Sequence, residues 1–268
     1  MLKILRYQPN GMLLRKTVEE ALSLYNCIKD LPDTTTKGVF KEKTGFTLLG
    51  THPTMGESFL MAITNLGAPM IFKLLPDFGS SVQSNEINYG CILNGGPCLV
   101  PVTFAETASK DHPLCGLLMP KYDRSLLQDE GIIYDSGVLL LQGTRIKEAL
   151  EYMHKMGIVH MDVKEGNIFI DHLGSWWLGD FGSCVEINGE IRSTSTFCYP
   201  ENLLAKKTLA RPMYDFYMLC TVLVNRLSKD LMDWENLDHS VRKIVLECGD
   251  PKLKSFMETL LKLHDDEK

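Results

Sequence analysis

The chain has 268 residues, of which 44% are hydrophobic, enough for one large domain or two smaller lobes with a sizeable core. The net charge is −6 and the 28 lysines and arginines are scattered, so we expect neither nucleic acid nor an anionic membrane as a partner. The 8 cysteines form no CxxC pair and the first apolar run is too short for a secretory signal, which favours an intracellular protein, cytoplasmic or nuclear, with reduced thiols.

Residues 1–45 form an N-terminal extension with one predicted amphipathic helix. Thr17 and Glu20 have the spacing of a capping box, in which each side chain bonds the backbone near the other. The apolar residues that follow recur at helical spacing, and Pro32 ends the pattern. The most economical role for this helix is packing.

Residues 46–119 change to short runs typical of strands, separated by glycine and proline. The predicted strands cover residues 59–63, 70–74, 99–104 and 114–119. One helix is predicted between them at residues 81–93. This part of the chain therefore predicts a small antiparallel sheet with a single helix.

Helices dominate from residue 120 to residue 268. An apolar stripe that includes Ile146 and Met153 predicts a helix that ends at Gly157, a helix C-terminal cap position. Short strands are predicted at 168–170 and 176–178, an almost wholly apolar helix at 213–228, and a closing helix from Pro251. The chain is therefore predicted to be α+β, with a sheet-rich N-terminal lobe and a mainly helical C-terminal lobe.

Two motifs carry the chemistry. Residues 158–168 read IVHMDVKEGNI, and Asp180-Phe181-Gly182 begins 13 residues after Asn167. Together they resemble the catalytic loop and the metal-binding motif of eukaryotic-type protein kinases, and two motifs in register outweigh the alternative that these are ordinary turn residues.

The resemblance implies a bilobal protein-kinase-like fold and transfer of the γ-phosphate of ATP with Mg²⁺. It assigns Asp162 as the catalytic base and Asn167 and Asp180 as metal ligands. Lys164 is similar to the lysine by which serine/threonine kinases contact the transferred phosphate. The alternative for Lys164 is an ordinary solvated lysine.

In the N-terminal lobe, Lys73 lies in an apolar predicted strand and resembles the lysine that contacts the α- and β-phosphates. Glu86 follows 13 residues later in the predicted helix, a spacing compatible with the lysine-to-helix ion pair of this family. The alternative is that both side chains are solvent-exposed.

The segments expected to contact the nucleotide are less regular. Gly50 and Gly56 would belong to the phosphate-covering loop, but His52 and Pro53 stand where the family usually has glycine, and proline has no amide hydrogen to donate. We therefore expect weak ATP binding. Residues 119–121 resemble the adenine-binding hinge, with Met119 near the gatekeeper position and Lys121 after it; a strand-ending turn is the alternative.

Residues 199–201, Tyr-Pro-Glu, resemble the end of a kinase activation segment. Counting back from them, Thr194 falls where kinases of this family place a threonine that bonds the catalytic Asp and Lys, here Asp162 and Lys164. The alternative is that Thr194 is one hydroxyl among several in residues 193–196. Asp215 would bond the catalytic-loop backbone, cap its helix, or both.

Three departures from the family pattern stand out. Met161 replaces the arginine that often pairs with a phosphorylated activation segment, so activity is expected without that phosphorylation. Asn188-Gly189 predicts a type I′ hairpin between residues 185–187 and 190–192, which would order the segment without phosphate. Only 44 residues follow Val224, so the large lobe is expected to be truncated beyond helix 213–228.

The reading favoured by these residues is an Mg²⁺-dependent protein serine/threonine kinase with ATP as cofactor and a protein as substrate. A pseudokinase that binds nucleotide or a partner is the main alternative, motivated by His52, Pro53 and Met161. A small-molecule kinase is the third. The sequence does not indicate the oligomeric state.

Overall fold

The structure is a computed structural model, and it describes residues 47–54, 57–63, 69–75, 81–106, 115–129, 132–194, 199, 203, 208–228 and 231–266. The described residues form two compact units. The first contains those up to residue 94 and residues 100–121, and the second contains residues 95–99 and those from 122 onward. The helix predicted after Thr17 lies outside the described residues.

The first unit is an antiparallel sheet with one helix, as the sequence predicts. The sheet has the strand order β1-β2-β3-β5-β4. Its elements are β1 (Thr47–Thr54), β2 (Glu57–Ile63), β3 (Pro69–Leu75), helix α1 (Ser81–Ile92), β4 (Thr103–Glu106) and β5 (Cys115–Pro120). Pro53 lies on β1, an edge strand, where a missing amide hydrogen is tolerated.

One predicted strand of this region is wrong in part. Residues 99–104 do not form a continuous strand, because Leu99, which belongs to the second unit, makes only an isolated bridge to Leu178 of the same unit, and β4 begins at Thr103. The intervening Val100 and Val102 are buried. An apolar run can therefore be buried without being a strand, which periodicity alone does not distinguish.

The second unit combines short strands with longer helices. Its elements are β6 (Arg124–Ser125), α2 (Ser136–Lys155), β7 (Ile158–Val159), β8 (Ile168–Ile170), β9 (Trp176–Leu178), β10 (Val185–Glu186), α3 (Pro212–Leu227), α4 (Leu237–Glu247) and α5 (Pro251–Asp265). β6, β8 and β9 form one antiparallel sheet, and β7 pairs with β10. None of the described helices is both long and apolar enough to cross a membrane.

Local chemistry explains both ends of α2. The Asp135 side chain accepts a hydrogen bond from the Gly137 amide and so caps the first turn. Gly157 follows the helix with φ of 79°, a left-handed conformation that glycine adopts without steric cost. The predicted stop at Gly157 is confirmed.

Helix α3 is the centre of the second unit. All its residues from Met213 to Arg226 are buried, and it packs against α2 and α5. Each large apolar side chain buried in this way contributes about 1.5–3 kcal/mol relative to an exposed position. Helix α3 is therefore the buried element against which the neighbouring helices of the second unit pack.

Helix α5 closes the unit, as predicted. The Asp250 carboxylate caps it by accepting from the amides of Lys252 and Leu253, and Pro251 occupies the first turn. Leu253, Met257 and Leu260 are fully buried along one stripe. The sequence did not predict α4, whose apolar stripe is short.

Candidate active site

Lys73 and Glu86 form an ion pair within the first unit. The Lys73 Nζ lies 2.9 Å from both carboxylate oxygens of Glu86. Lys73 is on β3 between β2 and β5, and Glu86 is on α1. Both are buried, at 9% and 5% exposure, so the alternative of two solvated side chains is wrong. Their contact with phosphate stays a prediction.

The segment predicted to cover the phosphates contains the paired antiparallel strands β1 and β2. β1 and β2 pair from Thr47 opposite Ile63 to Thr54 opposite Glu57, with an irregularity between Leu48 and Gly50. Gly50 therefore lies within a strand, and Gly56 lies outside the described residues. Hence the structure shows the frame of this loop and leaves its nucleotide contacts as a prediction.

The two hinge residues lie at the end of β5. Met119 pairs with Ile71 of β3, and Lys121 directly follows the strand. Both side chains are half-buried. The alternative of a turn that ends a strand describes their backbone equally well, so adenine binding stays a prediction.

Asp215 of helix α3 accepts hydrogen bonds from the backbone of the catalytic loop. One carboxylate oxygen of Asp215 accepts from the His160 amide at 2.8 Å, and the other accepts from the Met161 amide at 2.8 Å. His154 of α2 contacts the first oxygen at 2.8 Å. Asp215 is fully buried, and Arg211 is the helix cap, so the predicted loop contact is confirmed and the capping role is wrong.

The loop brings Asp162, Lys164 and Asn167 together. The Asp162 Oδ2 accepts from the Lys164 Nζ at 2.8 Å and from the Asn167 Nδ2 at 2.8 Å. The Asn167 Nδ2 also donates to the Asp162 carbonyl oxygen at 2.9 Å. These bonds fix the direction of the Asp162 carboxylate.

The second oxygen of Asp162 is the unusual atom of this cluster. Asp162 is 7% exposed, and its Oδ1 makes no hydrogen bond with any described residue. A buried carboxylate oxygen without a donor is costly, and a catalytic role, an ordered water or a bound ion can account for one. Asp162 Oδ1 thus has an unused acceptor position in a carboxylate whose direction is fixed.

His160 connects the catalytic loop to the Asp180 motif. Its Nδ1 accepts from the Asp162 amide at 3.2 Å, and its Nε2 lies 3.2 Å from the Gly179 carbonyl oxygen. This pattern places the ring proton on Nε2, because a carbonyl can only accept. The His160 ring also meets Phe181 edge to face at 6.0 Å. The two motifs therefore share one buried histidine.

Asp180 has a strained backbone and an exposed side chain. Its φ is 63°, a region that aspartate rarely adopts, and its carboxylate accepts only a long 3.5 Å bond from the Gly182 amide among the described residues. The preceding Gly179 amide donates to the Asn167 carbonyl at 2.9 Å. Backbone strain of this kind clusters at functional sites.

These residues suit Mg²⁺. Hard divalent cations prefer carboxylate and amide oxygens, and they leave most of their coordination to water and phosphate. Asn167 uses its amide nitrogen on Asp162, which leaves its amide oxygen as the end that binds a cation, and Asp180 offers an exposed carboxylate. The Asn167 amide oxygen and the Asp180 carboxylate therefore fit the predicted Mg²⁺, and they are connected through Asn167 to the Asp162 carboxylate.

Thr194 corrects one prediction. Its Oγ1 donates to the Met161 carbonyl oxygen at 2.5 Å, whereas the sequence predicted bonds to Asp162 and Lys164. Met161 is fully buried with φ of 64°, a conformation that turns its carbonyl toward this hydroxyl. Thr194 thus binds the backbone of the catalytic loop and not its charged side chains.

The predicted hairpin in the activation segment is also wrong. The Gly189 amide bonds the Glu186 carbonyl at 2.8 Å, so the turn is centred on Ile187 and Asn188, and only Asn188 has positive φ there, at 64°. β10 pairs with β7, and Glu190 bridges Leu209, so the two predicted arms do not pair with each other. Long-range partners outcompete the local hairpin, because the first arm joins strand β7 and Glu190 of the second arm bridges Leu209.

Several residues of the site were not found from the sequence. His154, His160, Glu165 and Arg226 all make buried polar contacts around the catalytic loop. Arg226 carried a readable signal, since a charge at the end of an apolar helix needs a buried partner. The identity of that partner had no local signal.

Comparisons with known proteins agree with this geometry. A family model described as the protein kinase domain matches residues 117–265, a range that contains Asp162, Asn167 and Asp180. A probable cell division protein kinase of Encephalitozoon cuniculi (strain GB-M1) is 28% identical over 212 residues, 69% of this chain and 69% of that protein. Human serine/threonine-protein kinase Sgk1 is 41% identical over 70 residues, which are 26% of this chain and 16% of Sgk1.

A solved structure resembles this fold over most of the chain. The Cydia pomonella granulovirus kinase PK-1 superposes with a TM-score of 0.65 at 15% sequence identity. The match covers 88% of this chain and 95% of the viral chain. At this identity the likeness concerns the fold alone.

Proposed function

Because the chain belongs to the protein kinase family, we propose that it transfers the γ-phosphate of ATP to serine or threonine hydroxyl groups of protein substrates, with Mg²⁺ as the required metal. The matches to a probable cell division protein kinase and to a serine/threonine-protein kinase support this substrate class. Lys164 supports it as well, two residues after Asp162.

The observation that carries the proposal is the Asp162 carboxylate. Lys164 and Asn167 hold Oδ2, and Oδ1 has no hydrogen bond among the described residues. In the reaction, Asp162 Oδ1 accepts the proton of the attacking hydroxyl while Lys164 keeps the carboxylate oriented. The Asp162 carboxylate therefore has one oxygen that can accept the proton of the substrate hydroxyl.

The remaining residues bind and orient. The Asn167 amide oxygen and the Asp180 carboxylate hold the metal, and Lys73, kept in place by Glu86, contacts the α- and β-phosphates. Bound Mg²⁺ neutralises the negative charge of the phosphates during transfer. In a pseudokinase these contacts would have no chemical purpose, and nothing in the geometry or the comparisons favours that alternative.

The direct test uses Asp162→Asn with radiolabelled ATP, Mg²⁺ and a mixture of generic protein substrates. The amide keeps the size of the side chain but does not accept the proton, so we expect kcat to fall by about 10²–10⁴. Asp266→Asn, at an exposed carboxyl near the chain's end, is the matched control and should keep wild-type activity. Wild-type turnover by Asp162→Asn would disprove the proposed chemistry.

A further inference from the structure

Arg226 is a buried charge in the last turn of an otherwise apolar helix. It is 7% exposed, and every side of its guanidinium group is bonded. Nε donates to the Glu165 Oε1 at 2.6 Å. The two terminal nitrogens donate to backbone carbonyls, at 3.0 Å to Asp129 and at 2.7 Å to Leu126. Arginine is suited to such a three-way contact because its donors lie in a rigid plane.

The carboxylate that Arg226 holds belongs to the catalytic loop. Glu165 opens the 3₁₀ turn Glu165–Asn167, whose last residue is the predicted metal ligand. Asn225, next to Arg226 on α3, donates to the same Glu165 oxygen at 2.8 Å. The Asn167 amide closes the turn by bonding the Lys164 carbonyl at 3.0 Å. Helix α3 therefore bonds the first residue of the turn, Glu165, and Asn167 is the last residue of the same turn.

This contact is distinct from the one made by Asp215. Asp215, near the start of α3, bonds the backbone before Asp162, and Arg226, near its end, bonds a side chain after Asp162. The loop is thereby held on both sides of the base by one rigid helix. Without the contact to Arg226, Asn167 would be held only by its own bonds to Asp162 and by the Gly179 amide, so its side-chain amide would be less firmly oriented.

We infer that Arg226 is a positioning residue, which acts through Glu165 to set the Asn167 amide oxygen for Mg²⁺. The inference rests on the proposed function in that it takes Asn167 as a metal ligand. A buried ion pair is a poor source of stability, since two apolar side chains of similar volume often fold as well or better. We therefore attribute the presence of the Arg226–Glu165 pair in an apolar helix to its role in orienting the Asn167 side chain.

The experiment separates orientation from stability. Arg226→Met alone leaves the largely buried Glu165 carboxylate with only the Asn225 amide as its donor among the described residues, and is expected to destabilise the fold. The double variant Glu165→Leu with Arg226→Met removes both charges and should unfold at a higher temperature than Arg226→Met alone. The readout is the Mg²⁺ concentration that gives half of the ATP-induced rise in unfolding temperature, which needs no phosphate transfer.

We expect the double variant to need about 10-fold more Mg²⁺ than the wild type, the lower end of the loss seen when an outer-shell partner of a ligand is removed. Arg226→Lys keeps a charge for Glu165 but cannot reach all three partners, and it should fall in between. Arg242→Met is the matched control, because Arg242 also binds two carboxylates, Asp238 and Asp265, outside the catalytic loop. Its Mg²⁺ requirement should equal that of the wild type.

A wild-type Mg²⁺ requirement in the double variant would overturn the inference while leaving the proposed function intact. A double variant that does not fold would also overturn it, because the pair would then serve the fold itself. A wild type that binds ATP with Mg²⁺ but transfers no phosphate would refute the proposed function alone. If the wild type shows no Mg²⁺-dependent ATP binding, both are wrong.

Discussion

Asp162 and Asp180 are the same residue type in different environments, and the environments suit different roles. Asp162 is buried and held by three hydrogen bonds to its side chain and carbonyl, whereas Asp180 is exposed on a strained backbone. A base must be oriented before the substrate arrives, because misalignment is costly to proton transfer. A metal ligand must instead be reachable. The two environments match the roles that the sequence predicts for these residues.

Asp129 is another buried carboxylate, and it predicts a pH dependence of stability. Burial opposes its ionisation, but hydrogen bonds from Arg124 and Tyr134 outweigh burial and lower the pKa of Asp129 below its usual value. The stabilisation is therefore present above pH of about 4, near the unfolded value, and is lost as pH falls through the lower folded pKa.

The test compares Asp129→Asn with the wild type by urea denaturation between pH 3 and 7. The variant should lose roughly 1–3 kcal/mol at neutral pH, the range for hydrogen bonds to a charged group, and the difference from wild type should shrink in acid. Asp123→Asn, at an exposed carboxyl, is the matched control for the loss of one carboxylate. A gap that stays constant down to pH 3 would contradict the assigned shift.

At the scale of elements, the segment after Asp180 is ordered by backbone bonding. The Ile187 amide donates to the Gly157 carbonyl, and the Asn188 amide donates to the Ala210 carbonyl, both at 2.8 Å. The Ala210 amide returns a bond to the Gly189 carbonyl at 2.9 Å. These bonds need no phosphate, so activity without activation-segment phosphorylation stays a prediction with a different structural basis from the hairpin first proposed.

Gly189 is the tightest point of this segment. A Cβ there would lie 2.7 Å from the Val185 Cγ2 and 2.8 Å from the Glu186 carbonyl oxygen, both too close. We expect Gly189→Ala to destabilise the protein by about 1–3 kcal/mol, the usual cost of overpacking, and to lower activity. Gly249→Ala is the matched control, since nothing lies within 4 Å of its Cβ position.

Activity of both glycine variants should be measured after phosphatase treatment, together with unfolding in urea. Phosphatase should cost the wild type little. Equal stability of the two variants, or a large loss of wild-type activity on dephosphorylation, would show that the backbone bonds around residues 187–189 do not hold the segment.

At the scale of the whole second unit, the end of the activation segment is fastened to the closing helix. The Tyr199 hydroxyl lies 2.8 Å from the Nε2 of His264 on α5, and its ring meets Tyr214 and Tyr217 of α3 edge to face. His264 is fully buried, and its Nδ1 contacts Asp265 at 3.1 Å. An aromatic cluster between α3 and α5 thus anchors this segment.

Tyr199→Phe tests the anchor, because it keeps the ring and removes the hydroxyl. We expect a loss of about 1 kcal/mol in unfolding free energy, the net value of one hydrogen bond, with a fall in activity. Tyr152→Phe is the control, since that hydroxyl makes no hydrogen bond with the described residues. The measurements are urea denaturation and phosphate transfer, and identical results for the two variants would rule out the anchoring role.

The sequence by itself determined the elements whose signals are local. Strands Ile168–Ile170 and Trp176–Leu178, the stop of α2 at Gly157 and the start of α5 at Pro251 follow from turn residues, capping and apolar spacing. The two motifs in register also indicated which residues carry the chemistry. Each of these signals lies within a short stretch of chain, where periodicity and backbone preference act directly.

Only the tertiary structure decided which distant groups meet. Glu165 and Arg226 are 61 residues apart, and the partners of Thr194 and of the strand at Val185–Glu186 also lie far along the chain. A buried charge or strand edge requires a partner, but many side chains in the sequence meet that chemical requirement. Which one is chosen depends on how α3 and the loops pack, and packing is a property of the folded chain alone.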